Sequence, residues 1–316
     1  MKYWFAEAPS NIALIKYMGK IDPSQNRPTN PSLSYTLPHL QSFVELRPFS
    51  GHADYWEPLE MPGFKPFELS KTSQDRFIKH LKMLKQMFNY EGYFTIRSIN
   101  NFPTASGLAS SASSFAALTK CAFIALSELT QQALPDDFVQ AQWSRLGSGS
   151  SCRSFFAPWA LWDDDHCKAI ELPYRHLIHH VIIVSDKEKE ISSKQAHLAV
   201  MSSPDFAFRP GRARLRLEEL MLALNALNWK KAYEICWDEF MDMHQLFSSC
   251  EQPFHYITPS SQQVLDTVQD FWKSQGDGPI VTMDAGPNVH LLFRDDQAEM
   301  AKLFIQEYVI NQYDFL

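Results

Sequence analysis

PTASGLASSASS (103–114) joins a strand pattern, GYFTIRSINN (92–101), to an unusually apolar helix pattern, SSFAALTKCAFIALSEL (113–129). Gly107 and the other small residues let the backbone approach a ligand closely, and the start of the helix supplies unpaired N–H groups and a positive dipole end. Serine hydroxyls that can add hydrogen bonds or one metal ligand stand at Ser110, Ser111, Ser113 and Ser114. The stretch predicts either a phosphate-binding loop without the Walker pattern or close helix packing with capping serines.

The segments on either side of this loop alternate between strand and helix patterns. Strands are predicted at NIALIKYM (11–18), at SLSYTL (32–37) and SFVELRPF (42–49) with a turn at Pro38–His39, and at 179–186, 279–285 and 288–293. Helices are predicted at 73–89, 136–146, 212–228, 229–248, 260–274 and 296–308. This order predicts an α+β protein of two lobes, which we divide into residues 1–173 and 174–316.

The composition excludes several classes of function. The 316 residues are 45% hydrophobic, as in a folded globular protein, and carry a formal net charge of −7, which disfavours a nucleic-acid partner. The five cysteines form no CxxC pair, which fits a reducing compartment. No run approaches eighteen consecutive apolar residues, and the N-terminus has no long apolar h-region. We therefore expect a cytoplasmic protein with no membrane partner.

Three further segments carry side chains suited to chemistry. RLGSGSSCRS (145–154) surrounds two arginines with small residues, which suits a carboxylate or phosphate ligand but equally suits a surface loop. NIALIKYMGK (11–20) places Lys16 at the end of an apolar strand, although most such lysines only extend their ammonium to solvent. MDAGPN (283–288) places Asp284 at a strand end before a sharp turn, where it could act as a general base or simply stabilise the turn.

Together the segments resemble mevalonate diphosphate decarboxylases, a branch of the GHMP kinase superfamily. The strings that match, in the family's order, are NIALIKYMGK, PTNPSLSYTL (28–37), NNFPTASGLASSASSFAAL (100–118), RLGSGSSCRS and VTMDAGPN (281–288). The resemblance implies the two-lobed GHMP kinase fold, with an N-terminal α/β nucleotide-binding lobe and a C-terminal ferredoxin-like lobe. It also implies a homodimer.

The resemblance also implies roles for individual residues. The ATP phosphate loop would comprise Pro103, Ser106, Gly107, Leu108, Ala109, Ser110 and Ser111, with the Ser111 hydroxyl nearest to Mg²⁺ and the triphosphate. The substrate, mevalonate 5-diphosphate, would be bound by Tyr17, Lys20, Ser148, Ser150, Ser193 and Lys194. The catalytic residues would be Asp284, Arg153 and Lys16. In this scheme Asp284 takes the proton of the 3-hydroxyl, Arg153 holds the carboxylate that leaves as CO₂, and Lys16 keeps Asp284 ionised.

The chain departs from the family pattern at Met18, at Ile21, at Ala157–Pro158 and at Ala196–His197, which we expect to border the substrate pocket. Two alternatives therefore stay open. The chain could be a kinase, or a decarboxylase, for a different phosphorylated mevalonate, or it could be a catalytically silent GHMP-fold binding protein. DDDH (163–166) and HLIHH (176–180) contain metal-binding side chains without a recognised metal spacing.

Overall fold

The computed structural model describes residues 2–64, 68–102, 110–185 and 189–316. The strands are β1 Trp4–Ile15, β2 Lys20–Asp22, β3 Arg27–Pro28, β4 Ser32–Phe49, β5 Tyr55–Pro58, β6 Tyr93–Asn100, β7 Trp159–Asp163, β8 His166–Ile170, β9 Leu177–Ile183, β10 Ile280–Thr282, β11 Val289–Arg294 and β12 Asp314–Phe315. The α-helices are α1 Lys71–Met87, α2 Ser110–Thr130, α3 Asp137–Gly147, α4 Ser193–Ala199, α5 Arg209–Asn225, α6 Trp229–Ser249, α7 Pro259–Gln275 and α8 Ala298–Tyr308. Mixed strands and helices of this kind confirm the predicted α+β class.

The N-terminal sheet has the strand order β5-β6-β4-β7-β8, with β1 pairing along β4. Helix α2 packs against β1 and β4. It is long and apolar enough to cross a membrane, but 78% of its most apolar stretch is buried inside the protein. A helix that is apolar on nearly every face needs such a central position, so α2 is the core helix of this lobe, as its sequence pattern predicted.

The prediction of two strands separated by a turn at Pro38–His39 was wrong. Residues 32–49 form the single strand β4. Leu37 pairs with Ser10 and Gln41 with Pro9, so the residues between them, which include Pro38, form a bulge in β4. β1 supplies hydrogen-bond partners on both sides of the bulge, so the chain continues in one direction. Proline interrupts the ladder here without ending the strand.

Sequence reasoning also missed the hairpin of β7 and β8, whose tip is the DDDH segment. Asp164 adopts a positive φ of 51° at this tip. The acidic side chains bind arginines: Arg27 Nη2 donates to Asp164 Oδ1 at 2.6 Å, and Arg145 Nη1 donates to Asp165 Oδ1 at 2.8 Å. These ion pairs explain the acidic run without a metal.

The second sheet is antiparallel, with the order β10-β11-β9-β12, and α5 to α8 belong to the same part of the chain. One hydrophobic cluster joins it to the N-terminal sheet, since buried residues of β1 and β4 such as Ile12 and Leu33 share the cluster with Val181, Phe240 and Leu291. The C-terminal end of β1 is therefore embedded between the two sheets. This position determines where the candidate site forms.

Candidate active site

The end of β1 meets the end of β10 through an ion pair. Lys16 follows the last residue of β1 and is 1% exposed, while Asp284 lies two residues beyond β10. Lys16 Nζ donates to Asp284 Oδ1 at 2.7 Å, across 268 residues of sequence. The Asp284 side chain remains 26% exposed, so its carboxylate can still be reached from outside the protein.

The surroundings of this pair hold Asp284 in its ionised form. Burial alone would raise the pKa of Asp284, but the charge of Lys16, nearby His290 and the hydrogen bond from Lys16 together bring that pKa below its usual value. For Lys16, burial lowers the pKa, and the opposing attraction of Asp284 does not fully restore it. An ionised carboxylate held by one buried ammonium suits a general base.

Arg153 is a buried cation without an acidic partner. It is 5% exposed and lies in a short 3₁₀ helix, Gly149–Phe155. Its Nε donates to Asn11 Oδ1 at 3.1 Å and its Nη1 to Ser32 Oγ at 2.8 Å, both neutral acceptors. Within the described residues, no carboxylate forms an ion pair with it. Because its charge also lowers the pKa of Asp284, it lies near the ion pair. A buried guanidinium of this kind would be stabilised by an anionic ligand.

Tyr17 forms the wall between these groups and helix α4. Its ring lies 4.7 Å from that of Trp162 and 4.3 Å from that of His197, measured between centroids. Burial raises the pKa of Tyr17, so the hydroxyl stays protonated and can donate. Gly149 passes so close that an added Cβ would lie 2.8 Å from Tyr17 Cε1. The glycine of this segment is therefore needed for close packing against Tyr17.

A local basic island adjoins Tyr17, although the whole chain is acidic. Lys20 Nζ donates to Asn26 Oδ1 at 2.6 Å. Burial, together with the charges of Lys194 and Arg76, lowers the pKa of Lys20 to about 8. Three cations that repel one another would gain from a polyanionic ligand such as a diphosphate. Ser193, the first residue of α4, is exposed next to Lys194.

The start of helix α2 approaches the 3₁₀ segment. Ser111 Oγ lies 3.2 Å from Ser148 Oγ, which links the predicted ATP-binding and substrate-binding segments. Ser110 is the first residue of α2, so this helix presents its N-terminal dipole end here. Ser150 is half-buried, and its carbonyl accepts from Asn11 Nδ2 at 3.4 Å. The other predicted loop residues, Pro103, Ser106, Gly107, Leu108 and Ala109, lie outside the described residues.

Comparison with known proteins identifies the family. The family model described as "Diphosphomevalonate decarboxylase-like N-terminal domain" matches residues 8–170. The model described as "Mevalonate 5-diphosphate decarboxylase C-terminal domain" matches residues 179–314. The chain belongs to the mevalonate 5-diphosphate decarboxylase family. Its two-lobed architecture is that of the GHMP kinase fold.

Individual relatives agree with this assignment. A mevalonate diphosphate decarboxylase from Legionella pneumophila is 57% identical, has a TM-score of 0.94, and is matched over 100% of both chains. MDDEF in complex with MVAPP, AMPPCP and magnesium is 27% identical, with a TM-score of 0.86, over 99% of this chain and 95% of that one. The diphosphomevalonate decarboxylase of Candida albicans is 30% identical over 94% of this chain and 85% of its own length.

The departures from the decarboxylase pattern fall in different environments. Met18 and Ala196 are buried and share one hydrophobic cluster. His197 lies against Tyr17, and its Nδ1 accepts from the Gly19 N–H at 3.1 Å. Ile21, by contrast, is 64% exposed. His197 therefore lies next to the proposed substrate-binding residue Tyr17, and Ala196 packs in the same cluster as Met18, the residue after Tyr17. Ile21 lies on the surface.

Sequence reasoning missed two cations near the decarboxylase site. Arg76 on α1 donates to the carbonyl of Gly147 at 3.1 Å, and its charge lowers the pKa of Lys20. Lys189 donates to the carbonyl of Ala285, next to Asp284, and burial lowers its pKa to about 8. Neither residue lies in a distinctive motif, so only the folded arrangement indicates them. Arg145, which the sequence grouped with Arg153, is instead paired with Asp165.

Proposed function

We propose that this chain converts mevalonate 5-diphosphate and ATP into isopentenyl diphosphate, ADP, phosphate and CO₂. The observation that carries the proposal is the pairing of two features in one place. Arg153 is a buried guanidinium that forms no ion pair with a carboxylate of the described residues, and its charge lowers the pKa of the ionised and partly accessible carboxylate of Asp284. The reaction requires both: a cation for the substrate carboxylate, and a base for the substrate hydroxyl.

Asp284 takes the proton of the 3-hydroxyl while that oxygen attacks the γ-phosphorus of ATP. Lys16 keeps Asp284 ionised through the 2.7 Å contact. Loss of the resulting 3-phosphate places positive charge on C3, and the bond to the carboxyl carbon breaks to release CO₂. Arg153 holds the carboxylate in the orientation that this step needs. Lys16 acts on the reaction through Asp284, because its hydrogen bond and its charge lower the pKa of that carboxyl.

The basic island supports binding of the 5-diphosphate. Lys20 and Lys194 supply charge, and the protonated Tyr17 hydroxyl supplies a donor. Ser148 lies between this island and the start of α2, where it would hydrogen-bond the substrate. We propose that Ser150 and Ser193 contribute further hydroxyls from the rim.

ATP and Mg²⁺ are proposed as cofactor and metal because MDDEF, a relative, is described with AMPPCP and magnesium. The start of α2 suits a triphosphate, because a helix N-terminus attracts anions and the exposed Ser111 can add a hydroxyl. The Ser111 hydroxyl also lies 3.2 Å from that of Ser148 in the proposed substrate-binding segment. When bound, Mg²⁺ would neutralise charge on the phosphate oxygens. Ser111 is the proposed protein ligand for that ion.

We also propose the division into residues 1–173 and 174–316, which the family matches at 8–170 and 179–314 support. A cytoplasmic location is supported by the five cysteines, which are all buried and form no disulfide. A homodimer remains a proposal from the family resemblance.

One assay tests the reaction. Release of ADP and of CO₂ is measured with mevalonate, its 5-phosphate and its 5-diphosphate. We expect equal amounts of both products, and turnover with the 5-diphosphate far above that with the others. ADP and a phosphorylated product without CO₂ would instead establish a kinase. Absence of both products with every substrate would establish a silent binding protein.

A further inference from the structure

The backbone of Lys16 is held by side chains rather than by a sheet. The pairing of β1 with β4 ends at Ile15, opposite Leu33. Beyond it, the N–H of Lys16 donates to Glu239 Oε1 at 2.9 Å, and its carbonyl accepts from Arg209 Nη2 at 3.3 Å. Both backbone polar groups of Lys16 are thus bound by helices of the C-terminal part of the chain, and the carbonyl also accepts from Asn30 Nδ2 at 2.9 Å.

Glu239 on α6 and Arg209 on α5 are themselves fully buried, with 0% of each side chain exposed. They form a two-pronged ion pair: Arg209 Nη1 donates to Glu239 Oε2 at 3.0 Å, and Arg209 Nη2 donates to Oε1. Arg216 Nη1 adds a bond to Glu239 Oε2 at 3.1 Å. Bidentate geometry fixes the plane of both groups, so the atoms that face Lys16 cannot turn away independently.

We propose that Glu239 and Arg209 are positioning residues that fix the Lys16 peptide so that its ammonium meets Asp284. The inference rests on the proposed role of Asp284 as base. Lys16 reaches Asp284 from β1, while Glu239, Arg209 and Asp284 all belong to the C-terminal part of the chain. Anchoring the backbone of Lys16 to the same part that carries Asp284 keeps the two ends of the ion pair in register.

The charge of Glu239 has a second effect on the same group. Burial lowers the pKa of Lys16, whereas the carboxylate of Glu239 raises that pKa together with Asp284. Glu239 therefore favours the charged ammonium that Asp284 needs. A hydrophobic pair of the same volume would fill the space without the desolvation penalty of two buried ions. It would, however, leave the N–H of Lys16 without its acceptor and its carbonyl with the bond from Asn30 but not the one from Arg209.

The test compares Glu239→Gln with Asp242→Asn. Asp242 is a matched control because its carboxylate binds Arg209 and Arg216, in the same network, but not Lys16. Release of ADP and CO₂ by the full chain is measured at about pH 8 and at about pH 5.5. kcat is determined at both pH values, together with KM for ATP and for mevalonate 5-diphosphate. Circular dichroism at both pH values monitors folding.

The amide of Glu239→Gln has one acceptor oxygen where the carboxylate has two, so it cannot accept from the Lys16 N–H and from Arg209 and Arg216 as before. We therefore expect Lys16 to be displaced and kcat to fall about 10²-fold, since a displacement of about 1 Å in a catalytic group has an effect of that order. KM for ATP should change little. With Lys16 displaced, the burial that raises the pKa of Asp284 is no longer offset by the charge and hydrogen bond of Lys16. That pKa should therefore rise, and the ratio of activity near pH 5.5 to activity near pH 8 should fall. Asp242→Asn should keep the wild-type ratio.

Equal pH ratios in Glu239→Gln, Asp242→Asn and the wild type would overturn the proposal and leave a purely structural ion pair. If Glu239→Gln does not fold, Arg209→Lys replaces it. The single ammonium of this variant cannot reproduce the two-pronged bond that fixes the plane of the Glu239 carboxylate, so Lys16 should again be displaced and the pH ratio should fall. A wild type that forms ADP without CO₂ would refute the decarboxylase assignment, while the pH ratio of ADP formation would still decide the positioning role.

Discussion

Two buried lysine–aspartate pairs of almost equal length occur in this molecule, and they differ in what surrounds the carboxylate. Lys16 and Asp284 meet at 2.7 Å, and Lys85 and Asp54 meet at 2.6 Å. Asp54 is 6% exposed and also accepts from the Phe94 N–H at 2.8 Å on its other oxygen. Its carboxylate is bonded on both oxygens, as expected of a structural ion pair.

The pair at the site is incomplete by comparison. Among the described residues, Asp284 accepts a side-chain hydrogen bond from Lys16 alone, and 26% of its side chain is exposed. Two buried arginines differ in the same way: Arg209 binds Glu239 and Asp242, whereas the acceptors of Arg153 in the described part of the chain are neutral oxygens. Saturated charges hold the fold together, and unsaturated charges are the ones available to a ligand.

The strongest contrast should appear when each carboxylate is neutralised. Asp284→Asn should lower kcat by about 10²–10⁴-fold, the usual contribution of a general base, and leave ATP binding largely intact. Asp54→Asn should leave kcat of the folded protein unchanged. Steady-state CO₂ release and ATP binding measure both variants. Retention of more than about a tenth of kcat in Asp284→Asn would remove this residue from the mechanism.

The two kinds of arginine can be separated in the same manner. Arg153→Met keeps the approximate volume but removes every donor, so we expect about 10²-fold loss in kcat/KM. The ratio of CO₂ to ADP should also fall below one as a 3-phosphorylated intermediate escapes. Arg294, which is paired with Asp277 at 2.8 Å, is the control. An equal loss of kcat/KM in Arg294→Met would end the distinction.

Stability should show the reverse order. Lys85→Met leaves Asp54 buried without its cation, which should lower the free energy of unfolding by about 3–5 kcal/mol. Lys16→Met should be less destabilising, because Asp284 retains contact with solvent and the penalty of burying the ammonium is relieved. Urea unfolding of both variants measures the difference. The comparison fails if Lys16→Met proves the less stable protein.

Buried histidines extend the comparison to acid pH. Burial lowers the pKa of His80 to about 3 and of His290 to about 4, the latter opposed by nearby Asp284. Since the unfolded chain binds these protons near about pH 6.5, stability is complete above that pH and declines as pH falls toward the folded pKa. Each group contributes about 1.4 kcal/mol per pH unit in that window.

Denaturant unfolding between about pH 7.5 and pH 4.5 tests this slope. His80→Gln should reduce the slope by the contribution of one bound proton, about 1.4 kcal/mol per pH unit. An unchanged slope in His80→Gln would show that this histidine does not titrate on unfolding.

The amino-acid sequence by itself determined the long helices and most of the longer strands, although it divided β4 in two. Helix α2 was predicted from its apolar composition, and the amphipathic helix α1 from its spacing, because both patterns are local. The family strings are also the source of the proposed roles of Lys16, Arg153 and Asp284. Short strands such as β7, with few residues and partners distant in sequence, gave no comparable signal.

Only the tertiary structure decided which charges are paired. Arg145 and Arg153 lie eight positions apart in one segment, yet of the two only Arg145 has an acidic partner among the residues that the structure describes. Glu239 stands in an ordinary amphipathic helix, and its contact with the Lys16 backbone spans 223 residues of sequence. Periodicity reports which face of an element is buried, but the identity of the group across that face depends on packing between segments far apart in the chain.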